Sequence, residues 1–173
     1  MRPSLPLLAA FVALTPTYAA AATRTVHLAP PSATLTIRAY VMGLLPITAR
    51  FTRFDATLTY DPAMPARCTA TLTAFTDSLE SANAVARADI VGPDFLDAAR
   101  FPTLTFTGMC AAAGALGGTL TLRGVARPLA MRLDWTVDGV AAEGDMRRAA
   151  WGMTAKPFLV GPTIRLSLAA RLP

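Results

Sequence analysis

Residues 50–62 read RFTRFDATLTYDP, and residues 94–108 read DFLDAARFPTLTFTG. Within these stretches, at 52–60 and 103–108, apolar residues alternate with threonine or other polar residues, which is the period of a strand with one buried and one solvated face. The alternation covers seven segments of the chain: 34–41, 52–60, 68–74, 103–108, 119–123, 129–137 and 163–172. We therefore predict seven strands, and a weaker eighth within 143–153.

One segment breaks this alternation. Residues 78–91 read SLESANAVARADIV, a helical composition that Ser78 could cap and that Gly92-Pro93 would end. Short dipeptides such as Asp61-Pro62 and Gly117-Gly118 are typical of turns between strands. Many short strands separated by turns predict an all-β fold with one short helical segment, arranged as an antiparallel barrel or sandwich.

The first 22 residues differ from the rest. Arg2 precedes the short apolar run LLAAFVAL at 7–14, and AAAA at 19–22 provides the small residues of a cleavage site. We predict a signal peptide over 1–22 and a single domain over 23–173, which would place the mature protein in the periplasm. An uncleaved membrane anchor is the alternative.

The chain has two cysteines, Cys68 and Cys110. Each shares the parity of the apolar residues in its own strand, and an even count in an oxidising compartment favours a disulfide. If the two strands pair as antiparallel neighbours, both sulfurs lie at the same end. Two unpaired buried thiols are the alternative.

The charge pattern argues against a nucleic-acid partner. Fifteen of the sixteen basic residues are arginines, and they are spread along the chain rather than clustered with aromatic residues. The net charge of +5 is compatible with a transient contact with anionic lipid head groups. The sequence leaves the oligomeric state open, including a dimer.

The chain carries no recognisable catalytic motif. His27 is the single histidine and lies close to the predicted cleavage site, where it makes a poor triad base. Asp94 and Asp97 suit a helix cap and surface better than acid–base catalysis. The glycines of residues 114–118 lack the lysine of a phosphate loop. We therefore predict no enzyme activity, no metal and no cofactor.

The interior of such a barrel can be filled by side chains or can hold a small apolar ligand. Small side chains among the inward-facing positions leave space, which favours a cavity slightly. These are Ala39, Ala56, Ala70, Ala74 and Ala170.

Three motifs together indicate a family. RFTRFDATLTYDP at 50–62 and DFLDAARFPTLTFTG at 94–108 are followed by TLTLRGVARPLAMRLDW at 119–135. In order and spacing they resemble the YceI-like family, also called polyisoprenoid-binding proteins, over residues 34–172. The resemblance implies a lipocalin-like antiparallel barrel of about eight strands with a helical segment near one mouth. It also implies an apolar tunnel for an isoprenoid chain, such as a polyprenyl phosphate or a quinone tail, and binding without catalysis.

With this resemblance, eight apolar positions become candidates for the tunnel wall, the alternative for each being a packed core: Leu35, Phe54, Leu58, Leu72, Phe95, Phe106, Leu122 and Trp135. Arg53, Arg87 and Arg127 are candidates for the lipid headgroup, and ordinary surface arginines are the alternative.

The chain also departs from the family pattern. Its opening region HLAPPSATLTI lacks the family's acid and histidine motif, and Arg87 is followed by Ala88, with Asp89 one place later. These changes affect the predicted headgroup contacts more than the tunnel. We expect a lipid carrier in the cell envelope, and the alternative is a filled barrel that acts through its surface as a structural or stress-related protein.

Overall fold

A computed structural model describes residues 23–111 and 114–172. The predicted signal peptide lies outside these residues. The elements, in chain order, are β1 (Arg24–Leu28), β2 (Ala33–Val41), β3 (Leu45–Phe51), β4 (Phe54–Asp61), β5 (Met64–Phe75), β6 (Leu79–Ser81), α1 (Ala84–Val91), β7 (Thr103–Ala111), β8 (Ala115–Leu122), β9 (Val125–Thr136), β10 (Gly139–Arg147) and β11 (Val160–Arg171).

All strands belong to one antiparallel sheet in the order β1-β4-β5-β7-β8-β9-β10-β11-β2-β3-β6. β4 lies next to one edge strand of this sheet, β1, and β3 lies next to the other, β6. Only Thr52 and Arg53 separate β3 from β4, so the two sides of the sheet are held close together. Phe75 of β5 donates its backbone N–H to the Arg53 carbonyl, and Thr52 donates to the Ser78 carbonyl. The sheet therefore curls into a barrel-like shape with its apolar side chains inside, and the predicted all-β fold is confirmed.

The strand count is higher than predicted, since residues 23–111 and 114–172 form eleven strands rather than eight. The additional strands are β1, β3 and β6. Each lacks a clear alternating signal: β1 is exposed on most of its five residues, β3 begins with Leu45-Pro46, and β6 has three residues. β1 and β6 are the two edges of the sheet, where backbone pairing with one neighbour can form a strand despite a weak side-chain pattern. β3 lies inside the sheet and pairs with both β2 and β6.

The helix begins later than the sequence predicts. Asn83, not Ser78, is its N-cap, and the Asn83 side chain accepts the backbone N–H of Ala86 at 3.0 Å. Ser78 instead donates its hydroxyl to the Phe75 carbonyl at 2.7 Å within a short turn. The helix ends at Val91, before Gly92, as predicted. Among the described residues, the helices are too short and too polar to cross a bilayer.

Gly117 and Gly118 were predicted to form a turn, but both lie inside β8. Gly118 pairs with Gly108 of β7. A Cβ atom on Gly118 would lie 2.6 Å from Cζ of Phe106. The aromatic ring therefore occupies the space that Gly108 and Gly118 leave. Glycine is needed here for close approach of a ring, not for a reversal of the chain.

Cys68 and Cys110 form a disulfide with a Cα–Cα distance of 4.9 Å. The register of β5 with β7 pairs Thr69 with Met109, which brings the two cysteines side by side. We name this the lower end of the barrel. The upper end is the one where Val41 of β2 lies opposite Val160 of β11.

Candidate functional site: an apolar cavity

The upper half of the barrel contains a cavity of about 110 Å³. Its walls come from strands on opposite sides of the curled sheet, mainly β2, β3 and β11 on one side and β7 and β8 on the other. The principal apolar lining residues are Ile37, Ala39, Val41, Ile47, Phe51, Leu104, Leu120, Leu122, Met146, Ile164 and Leu166. Because nearly all of the exposed wall is hydrocarbon, this upper cavity suits an apolar ligand.

A second apolar cavity of about 50 Å³ lies in the lower half of the barrel. Its wall contains residues from β1, β2, β4, β5, β7, β9, β10 and β11. Leu166 of β11 lines both cavities, so this side chain stands between them. The barrel axis is therefore apolar from the upper mouth to the lower half, with a partition of aliphatic side chains in the middle.

The mouth of the upper cavity is bordered by helix α1 and by the loop between β10 and β11. Ala86 and Ile90 contribute from the helix, and Leu159 contributes from the loop. Lys156 and Asp89 face each other here, with 2.7 Å between Nζ and Oδ2. These two are the charged residues among the described residues that line the cavity. One ion pair therefore bridges the helix and the loop at the entrance.

The loop at the mouth is held by a buried arginine. The Arg148 guanidinium donates to the carbonyl oxygens of Met153, Ala155, Val160 and Gly161 at 2.5 to 2.9 Å. It also lies 5.7 Å above the Phe95 ring. A buried cation is costly unless its donors are bonded, and these carbonyl groups satisfy them. Arg148 thus fixes the shape of the segment that carries Lys156 and Leu159.

Arg148→Met should lower the free energy of unfolding by about 2 kcal/mol, because the four carbonyl groups lose their donor and the loop must open to hydrate them. Urea unfolding measures the loss. Arg147→Met is the matched control, since Arg147 is exposed on the neighbouring position. Equal unfolding midpoints for the two variants would contradict the anchoring role.

Six of the eight apolar residues predicted for the tunnel wall line one of the two cavities. Phe95 and Leu122 line the upper cavity. Leu35, Leu58, Leu72 and Phe106 line the lower one.

The two remaining apolar candidates, Phe54 and Trp135, do not line either cavity. Phe54 is buried. The Trp135 ring contacts the Tyr60 ring, with 5.0 Å between the centroids. Both residues contribute to packing, which was the alternative for each.

The three arginines predicted to bind a headgroup lie away from the lining of the cavities. Arg53 binds both carboxylate oxygens of Asp77 at 2.7 Å. Arg87 donates to the Leu79 carbonyl at 2.8 Å and to the Asp77 carbonyl at 3.2 Å. Arg127 is an exposed residue of β9. The first two cations are occupied by the turn that precedes the helix.

Lys156 and Asp89 were not predicted as site residues. They are 67 positions apart, and only the folded chain brings them together. Two signals were present in the sequence: Lys156 is the single lysine of the chain, and Asp89 is displaced by one place from the family's acid.

A further close ion pair lies on the outer wall, away from the two apolar cavities. Arg165 binds both oxygens of Asp145 at 2.7 and 2.8 Å. These hydrogen bonds lower the pKa of the Asp145 carboxyl and raise the pKa of the Arg165 guanidinium. The pair connects β10 with β11 and keeps its charge outside the barrel.

No cluster of three or more histidine, cysteine or acidic side chains that could hold a metal ion occurs within the described part of the chain. His27 lies on β1, with Nδ1 3.4 Å from the Thr57 hydroxyl. It is therefore part of the sheet and not of a frayed terminus. The arrangement as a whole can bury an apolar chain and offer one ion pair to its polar end.

The comparisons with known proteins agree with this architecture. The family model described as "YceI-like domain" matches residues 26–172. A UPF0312 protein of Shewanella sp. (strain W3-18-1) is 30% identical over 146 residues, which cover 82% of this chain and 76% of that protein. A UPF0312 protein of Shewanella baltica (strain OS185) has the same identity and coverage.

Solved structures show the same fold. BcnA of Burkholderia cenocepacia superposes with a TM-score of 0.71 at 18% identity, over 84% of this chain and 99% of that one. A polyisoprenoid binding domain from Saccharophagus degradans gives a TM-score of 0.53 at 12% identity, over 86% of this chain and 100% of that one. At these identities the likeness concerns the fold alone. On the match of the family model to residues 26–172, the chain belongs to the YceI-like domain family.

Proposed function

We propose that this domain binds the hydrocarbon chain of an isoprenoid lipid, without catalysis, in the bacterial cell envelope. The observation that carries the proposal is the upper cavity, whose described lining is apolar except for one ion pair at its mouth. The fold shared with a polyisoprenoid binding domain supports the same ligand class. A periplasmic location is part of the proposal and is supported by the Cys68–Cys110 disulfide.

The energetics of burial are sufficient for such a ligand. Removing apolar surface from water contributes about 25 cal/mol per Å², so one five-carbon unit of about 100 Å² contributes roughly 2 kcal/mol before ordering costs. Three or four units contribute roughly 6 to 8 kcal/mol, which corresponds to about micromolar affinity before those costs are subtracted. Saturable binding of geranylgeraniol at one molecule per domain, measured by displacement of a fluorescent farnesyl probe, tests this directly.

The cavity sizes indicate how a longer chain would be accommodated. A cavity of about 150 Å³ accepts a ligand of benzene size, so the upper cavity has room for about one isoprene unit as it stands. A longer chain must displace the aliphatic partition at Leu166, continue into the lower cavity and widen it, because about 50 Å³ is too small for a second unit. Leucine side chains change rotamer at small cost, so we propose that the two cavities join when the ligand enters.

The ion pair at the mouth favours a headgroup of low charge. Asp89 neutralises Lys156, so the entrance offers one donor and one acceptor but no net positive charge. A diphosphate would have to approach the Asp89 carboxylate as well as the lysine. An alcohol or a quinone carbonyl can accept from Lys156 without that repulsion. We therefore propose an uncharged headgroup rather than a phosphate.

Asp89→Asn should strengthen the binding of geranylgeranyl diphosphate by about tenfold, because the variant frees the Lys156 ammonium for the phosphate groups. The affinity for geranylgeraniol should stay unchanged. The factor is modest since both side chains are about half-exposed to water. Equilibrium competition against the farnesyl probe measures both affinities.

Asp145→Asn is the control for this experiment. It removes one negative charge from the outer wall without touching the mouth. If it strengthens diphosphate binding as much as Asp89→Asn does, the effect is one of overall charge and the proposed headgroup site is wrong. If wild-type protein already prefers the diphosphate to the alcohol, an uncharged headgroup is excluded.

A further inference from the structure

Beside the mouth lies a group of exposed apolar side chains, which we call the apolar rim: Met42, Leu44, Leu45, Phe158 and Leu159. Leu44 is 82% exposed and Phe158 is 100% exposed. The first three residues form the tip of the β2–β3 hairpin, and the last two belong to the β10–β11 loop. Side chains this exposed contribute almost nothing to the core and cost solubility, so their placement requires another explanation.

The two parts of the apolar rim form one surface at the entrance of the cavity. The backbone N–H of Met42 donates to the Leu159 carbonyl at 2.7 Å. Val41 and Val160, the residues next to them in the chain, line the upper cavity. The apolar surface is therefore continuous from the exposed tips, over the edge and into the barrel.

The hairpin sequence is poor for the turn that it makes. Met42 and Gly43 both have a positive φ, of 52° and 71°. A turn of this kind favours asparagine followed by glycine, because asparagine tolerates the left-handed region better than methionine does. Met42 and the two exposed leucines that follow Gly43 are therefore not explained by local folding.

The charges around the apolar rim match a phospholipid surface. The stretches 40–46 (YVMGLLP) and 157–162 (PFLVGP) contain no charged residue. Arg38 is exposed on β2, three residues below Val41, which places it about 10 Å from the rim. In the described part of the chain Arg38 makes no ion pair. Apolar side chains of membrane-surface proteins reach about 5–10 Å into the headgroup region, so this cation would meet the phosphate layer.

We propose that the apolar rim docks the domain on a bilayer containing anionic phospholipid, with the mouth of the upper cavity facing the lipid. This inference rests on the proposed function, because docking gives an isoprenoid a route into the barrel that avoids water. A bilayer fits better than a folded protein partner. Isolated, fully exposed tips such as Phe158 can enter lipid directly, whereas a protein interface needs a complementary pocket for each.

The test is cosedimentation of the full domain with two kinds of vesicle. One kind is pure phosphatidylcholine, and the other also contains phosphatidylglycerol. Met42→Asn combined with Phe158→Ser should weaken binding by about a hundredfold, or about tenfold for each lost apolar side chain. Met42→Asn suits the turn, so the variant should fold as well as the wild type. Val137→Asn is the matched control, because Val137 is an equally exposed apolar residue. It lies in the turn between β9 and β10, at the lower end of the barrel and away from the apolar rim.

The results separate docking from ligand binding. The double variant should keep the wild-type affinity for geranylgeraniol dispersed in water, and Arg38→Gln should reduce binding to phosphatidylglycerol vesicles more than to pure phosphatidylcholine. Wild-type protein that does not sediment with either vesicle would overturn the proposal. A double variant that binds vesicles as the wild type does would also overturn it. The same holds if Val137→Asn loses as much vesicle binding as the double variant. If geranylgeraniol fails to bind while the vesicle effects hold, the proposed function fails and the docking surface stands.

Discussion

An Ala39→Phe variant is expected to bind geranylgeraniol at least about a hundredfold more weakly than the wild-type protein. Ala39 lies on β2 and lines the upper cavity near its mouth. The added phenyl ring is of benzene size, and a ring of that size fills a cavity of about 150 Å³. It would therefore occupy the 110 Å³ that the ligand needs at the entrance. Displacement of the farnesyl probe measures the loss.

The same substitution should leave the fold intact. Ala39 is only partly buried, and the ring enters empty space rather than a filled core, so the stability cost should stay below about 1.5 kcal/mol. Ala130→Phe makes the same chemical change at an exposed position of β9. It should bind geranylgeraniol as the wild type does. A folded Ala39→Phe variant with unchanged affinity would show that the ligand does not use this cavity.

Reduction of the Cys68–Cys110 disulfide should lower the free energy of unfolding by about 4 kcal/mol. The cysteines are 42 positions apart, and in the chain-entropy model a closed loop of that length restricts the unfolded chain by about this amount. With a urea dependence of about 2 kcal/mol per molar, the unfolding midpoint should fall by about 2 M. Urea unfolding with and without reductant, followed by tryptophan fluorescence, measures the change.

The double variant Cys68→Ala/Cys110→Ala provides the control for reduction. It should unfold close to the reduced wild type and should not respond to reductant. Unfolding midpoints that agree between oxidised and reduced wild-type protein would contradict the expectation. Because the effect acts mainly on the unfolded chain, the reduced domain should still bind geranylgeraniol below its unfolding transition.

Alternation along the sequence was sufficient to predict which residues face the interior. Ala39 and Ala56 were assigned to inward-facing positions from the sequence, and they line the upper and the lower cavity respectively. The parity of Cys68 and Cys110 likewise predicted that their sulfurs would meet at one end. These predictions succeed because the side-chain period of a strand is two, so one buried face fixes the whole strand.

The residues that border the mouth of the upper cavity could not be predicted in the same way. Lys156 lies in a loop without periodicity, and its partner Asp89 lies on a helix of eight residues. The contacts of the predicted arginines could not be derived from the sequence for a related reason. Arg87 satisfies backbone carbonyl groups of a turn that the sequence pattern did not reveal, since the helix was predicted to begin at Ser78 rather than after Asn83. Loop contacts depend on how the barrel closes, which local patterns do not encode.

Native mass spectrometry of the mature domain, purified gently from its own host, tests the central claim most directly. The account predicts one bound lipid per domain, with the mass of an isoprenoid carrying an uncharged headgroup, and no such adduct on the Ala39→Phe variant. Repeated preparations that contain only the unliganded domain, and that take up no geranylgeraniol when it is added, would contradict it.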